Sequence, residues 1–189
     1  NARIDILIKN AEALLALEGL SETEIENLQR LINELKASYK DIVPEDTVKD
    51  ATDKFETIME LVSQYADAIE NLGNSIFDRK LENIDAEIEA EKNKFDRLIG
   101  LAKNNKSEQE RLEAEKKLKV DALEKERLKT EQKKAKFDKV MAIAQIAINT
   151  AVAISKVAAQ TGIFAWAGIG PIILLGALQT AAVLAQPIP

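Results

Sequence analysis

Apolar side chains recur along most of this chain at the spacing of an α-helix. Over residues 2–18, Ile4, Leu7, Ala11, Leu14 and Leu15 fall on one broad stripe. Gly19 supplies a natural helix-ending position. Ser21 with Glu24 forms the pattern of a capping box, opening a second helix that runs to about Lys40. Its stripe is Ile25, Leu28, Leu31, Ile32 and Leu35. Together these predict an N-terminal helical hairpin over residues 1–43, closed by Pro44.

The most regular pattern follows. Val48, Ala51, Phe55, Ile58, Val62, Tyr65, Ile69, Leu72 and Ile76 step alternately by three and four, which predicts a coiled-coil seam. An amphipathic helix of this kind is marginal alone, so the stripe needs a partner. Either an intramolecular bundle or a self-association seam between copies satisfies it. Gly73, Asn74 and Ser75 read as an interruption. The pattern resumes in a shifted register through Phe77, Leu81, Ile84, Ile88, Phe95 and Leu98, with Glu91 standing where an apolar residue is expected. A polar residue there either fixes register or marks a solvated turn.

Asn104 and Asn105 predict a turn, and Ser107 with Glu110 a further capping box. The next helix is charged, with Leu112, Leu118, Ala122, Leu123 and Leu128 in no strict heptad. Acids precede bases four residues later, as in Glu113–Lys117 and Glu115–Lys119, a pattern of exposed helices. Residues 44–139 thus form a region of long charged helices and coiled coil, and residues 74–139 either fold back or extend as one rod.

From residue 140 the character changes. Val140 to Gln160 is mostly Ala, Ile and Val, with Gln145, Asn149, Lys156 and Gln160 on one side. The glycine-rich stretch from Thr161 to Pro171 predicts a turn, with Pro171 suited to the first turn of the next helix. A second apolar helix carries Gln179 and Gln186 and stops at Pro187. Residues 140–189 therefore predict an apolar helical hairpin, marked by Ile146, Asn149, Ile154, Trp166, Pro171, Gln179 and Leu184. Each arm approaches the roughly 20 residues needed to cross a bilayer. The many alanines suit a tight helix–helix interface, and burial in an assembly and contact with a membrane both remain open.

Composition sharpens this all-α reading. The chain is 46% hydrophobic and 31% charged, with only 7 Gly and 4 Pro in 189 residues, the profile of long helices. Charge is unevenly placed: residues 1–73 hold 16 acids against 7 bases, residues 74–139 hold 16 against 18, and residues 140–189 hold only Lys156. There is no Cys and no His, which removes disulfides, ordinary zinc sites, thiol nucleophiles and the commonest general base. No catalytic residue, cofactor site or metal site is expected. Glu87 and Glu91 read as surface charge and not as a glycosidase pair. Asp85, Glu87, Glu89 and Glu91 could bind a hard cation only weakly, without the spacing of a calcium loop, and the segment Gly168–Pro171 lacks the lysine of a phosphate loop. The basic run Lys133, Lys134, Lys136 and Lys139 reads first as a solvated helix turn, and second as a weak contact for DNA or lipid phosphates. No basic-then-apolar leader opens the chain, and a chain that begins at Asn1 reads as a fragment or processed product.

The segment from Ala135 onward resembles the C-terminal region of phage tail tape-measure proteins. Ala147, Ile148, Asn149, Thr150, Ala151, Ala153, Ile154 and Lys156 match one pattern of that family, and Gly176, Ala177, Gln179, Ala181, Ala182, Ala185, Gln186 and Pro187 another. The resemblance implies a virion protein that lies in the tail lumen as a trimer or hexamer and sets tail length during assembly in the host cytoplasm. It implies tail-tube and tail-tip or baseplate proteins as partners. It also implies release ahead of the DNA, with apolar segments meeting the host membrane. A competing expectation from the residues is an α-helical pore-forming toxin with a shielded, membrane-inserting hairpin.

Overall fold

A computed structural model of the chain describes residues 2–17, 20–41, 48–161 and 165–188, with side chains described except at 2–6, 38–41, 48–58, 155, 158–161 and 165–171. The described residues are all-helical, with five helices: α1 (Ala2–Leu15), α2 (Glu22–Asp41), α3 (Val48–Leu101), α4 (Lys106–Thr161) and α5 (Ala165–Ala185). The positions of Gly19, Pro44 and Gly162 lie outside the described residues. The chain divides into two compact units: Asn1–Gly73 with Lys136–Pro187, and Asn74–Ala135 with Ile188–Pro189. Helices α3 and α4 contribute to both.

In the first unit, α1 and α2 form the expected hairpin. The Ser21 backbone N–H donates to Glu24 Oε2 at 2.7 Å, and the Glu24 N–H donates to Ser21 Oγ at 3.3 Å, satisfying two amides that a helix start leaves orphaned. Leu7, Ala11 and Leu14 of α1 are buried, as are Leu28, Leu31, Ile32 and Leu35 of α2. Lys36 reaches Glu12 across the hairpin at 3.1 Å.

Helix α3 does not break at Gly73. Met59, Val62, Ala66 and Ile69 are buried, and Gly73 continues their spacing of three and four. On α4, Phe137, Met141, Ala144, Ile148 and Ala151 are buried at the same spacing. Gly73 meets the Phe137 ring: a Cβ built there falls on its Cζ and Cε1 atoms. The glycine that reads as a helix breaker is therefore the socket for an aromatic ring. The Asn10 side-chain amide donates to the Met141 sulfur at 3.2 Å, tying α1 to α4.

Tyr65 sits beside this stripe and hydrogen-bonds Glu34 of α2, which also pairs with Arg30 at 3.6 Å. Burial, then the negative charge of Glu34, push the Tyr65 hydroxyl above its ordinary value of 10.0. A raised value means that the fold favours the protonated phenol. Its stabilising effect is complete below pH 10 and is lost as pH rises through the raised value. Thermal melts across that range should show an alkaline decline that Tyr65→Phe flattens; an unchanged decline would refute the coupling.

In the second unit, α3 and α4 fold back on each other, which decides between hairpin and rod. Asp96 pairs with Lys116 at 2.6 Å, Asp85 with Arg127 at 2.6 Å and Asp78 with Lys134 at 3.5 Å. Each step toward the N-terminus of α3 is matched by an equal step along α4, as an antiparallel pair requires. Ile84, Ile88 and Val120 form a small buried cluster with Leu123 packed on it. The turn is capped by Asn105, whose Oδ1 accepts from the Glu108 N–H at 3.2 Å; the expected Ser107–Glu110 box is displaced because the helix begins one residue before Ser107. Glu91 keeps 20% of its side chain exposed and pairs with Lys94 at 3.1 Å, so its charge remains neutralised at the seam edge.

Candidate functional site

The candidate surface of this chain is the apolar C-terminal hairpin. Its second arm begins at Ala165, so most of the stretch expected as a glycine-rich turn is helix. Pro171 lies in the helix interior and not in its first turn, at the loss of one backbone donor. The side chains of Trp166 and Pro171 lie outside the described residues.

Small residues set how α5 meets α4. Gly176 is buried, and a Cβ there would lie 2.5 Å from Thr150 Oγ1 and 3.2 Å from its Cγ2. Thr150 thus seats against bare backbone. Its hydroxyl donates back to the Ile146 carbonyl at 2.7 Å, and Thr180 donates to the Gly176 carbonyl at 2.9 Å. Both hydroxyls are satisfied inside their own helices, the arrangement that apolar surroundings demand. At the other end of the contact, Lys139 Nζ donates to the Leu184 carbonyl at 3.1 Å, placing a cation at the negative end of α5. Between these contacts runs a groove of about 380 Å³ lined by Ile146, Ala147, Thr150, Ile173, Gly176 and Thr180, among others.

The two arms differ in what they leave outside. The first arm puts Met141, Ala144, Ile148 and Ala151 into the core and leaves Ile146 and Ile154 half-buried and Asn149 and Lys156 exposed. The Gln145 amide oxygen is buried without a hydrogen-bond partner. The second arm has no charged residue, yet Ile173, Leu174, Leu175, Leu178 and Leu184 are all more than half exposed, and Gln179 is exposed beside them. By length and composition, α4 also contains a stretch apolar enough to cross a membrane.

Of the stripe read on α3, Val62, Ile69 and Ile76 are buried within this one chain, Tyr65 and Leu72 are half-buried, and the side chains of Val48, Ala51, Phe55 and Ile58 lie outside the described residues. Sequence reasoning missed the Gly73–Phe137 and Gly176–Thr150 seats. For the second a signal existed: Gly176 and Thr180 stand four apart in an apolar helix, the spacing that lets two helices approach closely.

Two further concavities among the described residues are surface grooves of mixed charge on the second unit. One of about 440 Å³ is lined by Lys92, Asp96, Glu113, Lys116 and Lys117, and one of about 480 Å³ by Asp85, Lys92, Glu124, Arg127 and Glu131. Hydrogen bonding to Asp85, then the charges of Asp85 and Glu131, hold the Arg127 guanidinium above its ordinary value. No group of acids able to hold a metal ion occurs among the described residues. Comparisons of this chain with protein-family models, with curated proteins and with solved structures found no match.

Proposed function

We propose that this chain is a structural, non-enzymatic segment of a phage tail tape-measure protein, self-associating in the tail lumen and tip. The observation that carries the reading is α5, a 21-residue helix without charge on which Ile173, Leu174, Leu175, Leu178 and Leu184 are each more than half exposed. Such a surface needs company in water. The family pattern from Ala135 onward supports the same reading, with tail-tube and tip proteins as neighbours and release ahead of DNA as the later step. Deleting the coding segment from a phage genome that carries it should abolish tails or change their length under electron microscopy. Tails of normal number and length would overturn the proposal.

A second reading, a membrane-inserting hairpin of pore-forming type, draws on the membrane-length apolar stretch in α4. It demands that Met141, Ala144, Ile148 and Ala151 leave a core in which each is at most 3% exposed. Dye leakage from liposomes caused by the isolated chain would favour this reading over the first.

A further inference from the structure

We infer that the outward face of α5 is the contact between copies of this chain; the inference rests on the self-association in the reading above and assigns it a surface. The regular stripe on α3 is the obvious candidate for that role, but Val62, Ile69 and Ile76 are consumed inside one chain. Helix α5 carries a second stripe of the same kind. Leu174, Leu178, Ala181 and Ala185 step by four, three and four, and all four are exposed. Leu175 and Ala182 widen the stripe on one side. Leu174, Leu178 and Ala185 lie on the opposite side of the helix from Gly176, the residue that seats α5 on Thr150, while Ala181 stands at the edge of the groove against α4.

Three properties point to another copy of this helix as the occupant, and away from lipid. Half of the stripe is alanine, which gains little from hydrocarbon but lets two helix backbones approach closely. Gln179 and Gln186 are exposed at its flank, seven residues apart; their amides are costly to bury in lipid, whereas between helices they hydrogen-bond each other. Helix α5 also has no charge, so nothing repels an identical helix. The area is adequate. Leu174 and Leu178 are 62% and 60% exposed, and with their neighbours the patch offers on the order of 500 Å² per copy, so that a symmetric pairing buries about 1,000 Å² in all, the lower bound for a specific interface.

The test is sedimentation of the full chain, unaltered and as the double variant Leu174→Lys/Leu178→Lys. The unaltered chain should associate, and the variant should dissociate about a hundredfold more readily with unchanged helical circular dichroism. Association that survives in the variant overturns the assignment to α5 but leaves self-association standing. An unaltered chain that stays monomeric at high concentration overturns both, and monomers that bind neutral phosphatidylcholine vesicles identify lipid as the occupant and also overturn the inference. Should the double variant lose helicity, cross-linking decides. The chain has no cysteine, so Leu178→Cys should form disulfide-linked dimers on oxidation while Leu118→Cys, on the second unit, should not. Equal yields from the two, or none from Leu178→Cys, would refute the interface.

Discussion

Replacing Gly73 with alanine should destabilise this protein by about 2 kcal/mol, within the range measured for overpacked cores. The direction is the informative part. In an ordinary helix interior, Gly→Ala stabilises by about 1 kcal/mol because alanine loses less backbone entropy. Here the added methyl falls on the Phe137 ring, and Phe137 is itself buried at 7% exposure. The ring is held within α4 and cannot swing into water without exposing its whole surface. Overpacking therefore outweighs propensity, and the apparent helix breaker is worth more than the best helix former. Chemical denaturation of Gly73→Ala measures the change. Phe137→Leu in the same chain should recover part of the loss, because the smaller side chain vacates the space the methyl takes. A Gly73→Ala variant as stable as the parent, or more so, would show that the ring does not occupy this socket.

Ile69→Ala should lower stability by about 3 kcal/mol, the middle of the range for deleting buried aliphatic groups. Ile69 is fully buried in the first unit, with Ala66 and Val62 on the same stripe. The loss combines the transfer of its side chain from water with a cavity that neighbours fill only in part. A residue that serves one chain's own core loses the same free energy at every protein concentration, whereas a residue between copies shows a midpoint that shifts with concentration. The shift in thermal midpoint caused by Ile69→Ala should therefore be the same in dilute and concentrated samples. A difference that grows on dilution would place Ile69 between copies after all.

The helices themselves were legible because apolar spacing, capping chemistry and breakers agree over most of the chain. The Ser21–Glu24 box and the turn at Asn104–Asn105 are local features, and local features read well from sequence. Pairing across the second unit was not legible. The inward edge of α4 there includes Lys116, Arg127, Thr130 and Lys134, each half-buried or buried, and a search for apolar residues passes over them. Leu118 and Leu128, which such a search selects, are exposed. The cations belong on that edge because Asp96, Asp85 and Asp78 stand opposite, a relation between residues far apart in the chain. The same holds for Gly73: its packing value lies in the ring that fills its missing side chain. The hairpin lies between these cases. Its apolar character is plain, but the pattern sets the start of α5 later than Ala165, because Gly168, Gly170 and Pro171 carry a breaker signal that the helix overrides. Which arm would be inside and which outside depends on contacts with α1 and α3, and no periodicity within the arms encodes that.

The charge gradient along α4 has a consequence for how solvent composition acts on the chain. The cross-hairpin pairs of the second unit leave their acidic partners more than half exposed, so dissolved sodium chloride weakens them over a Debye length of about 8 Å at physiological ionic strength. The uncharged outer face of α5 offers chloride and sodium nothing to screen, and strongly hydrated anions such as sulfate drive it further out of water. One chain thus carries two opposite responses to salt, and a strongly hydrated anion such as sulfate engages both of them while chloride engages chiefly the first.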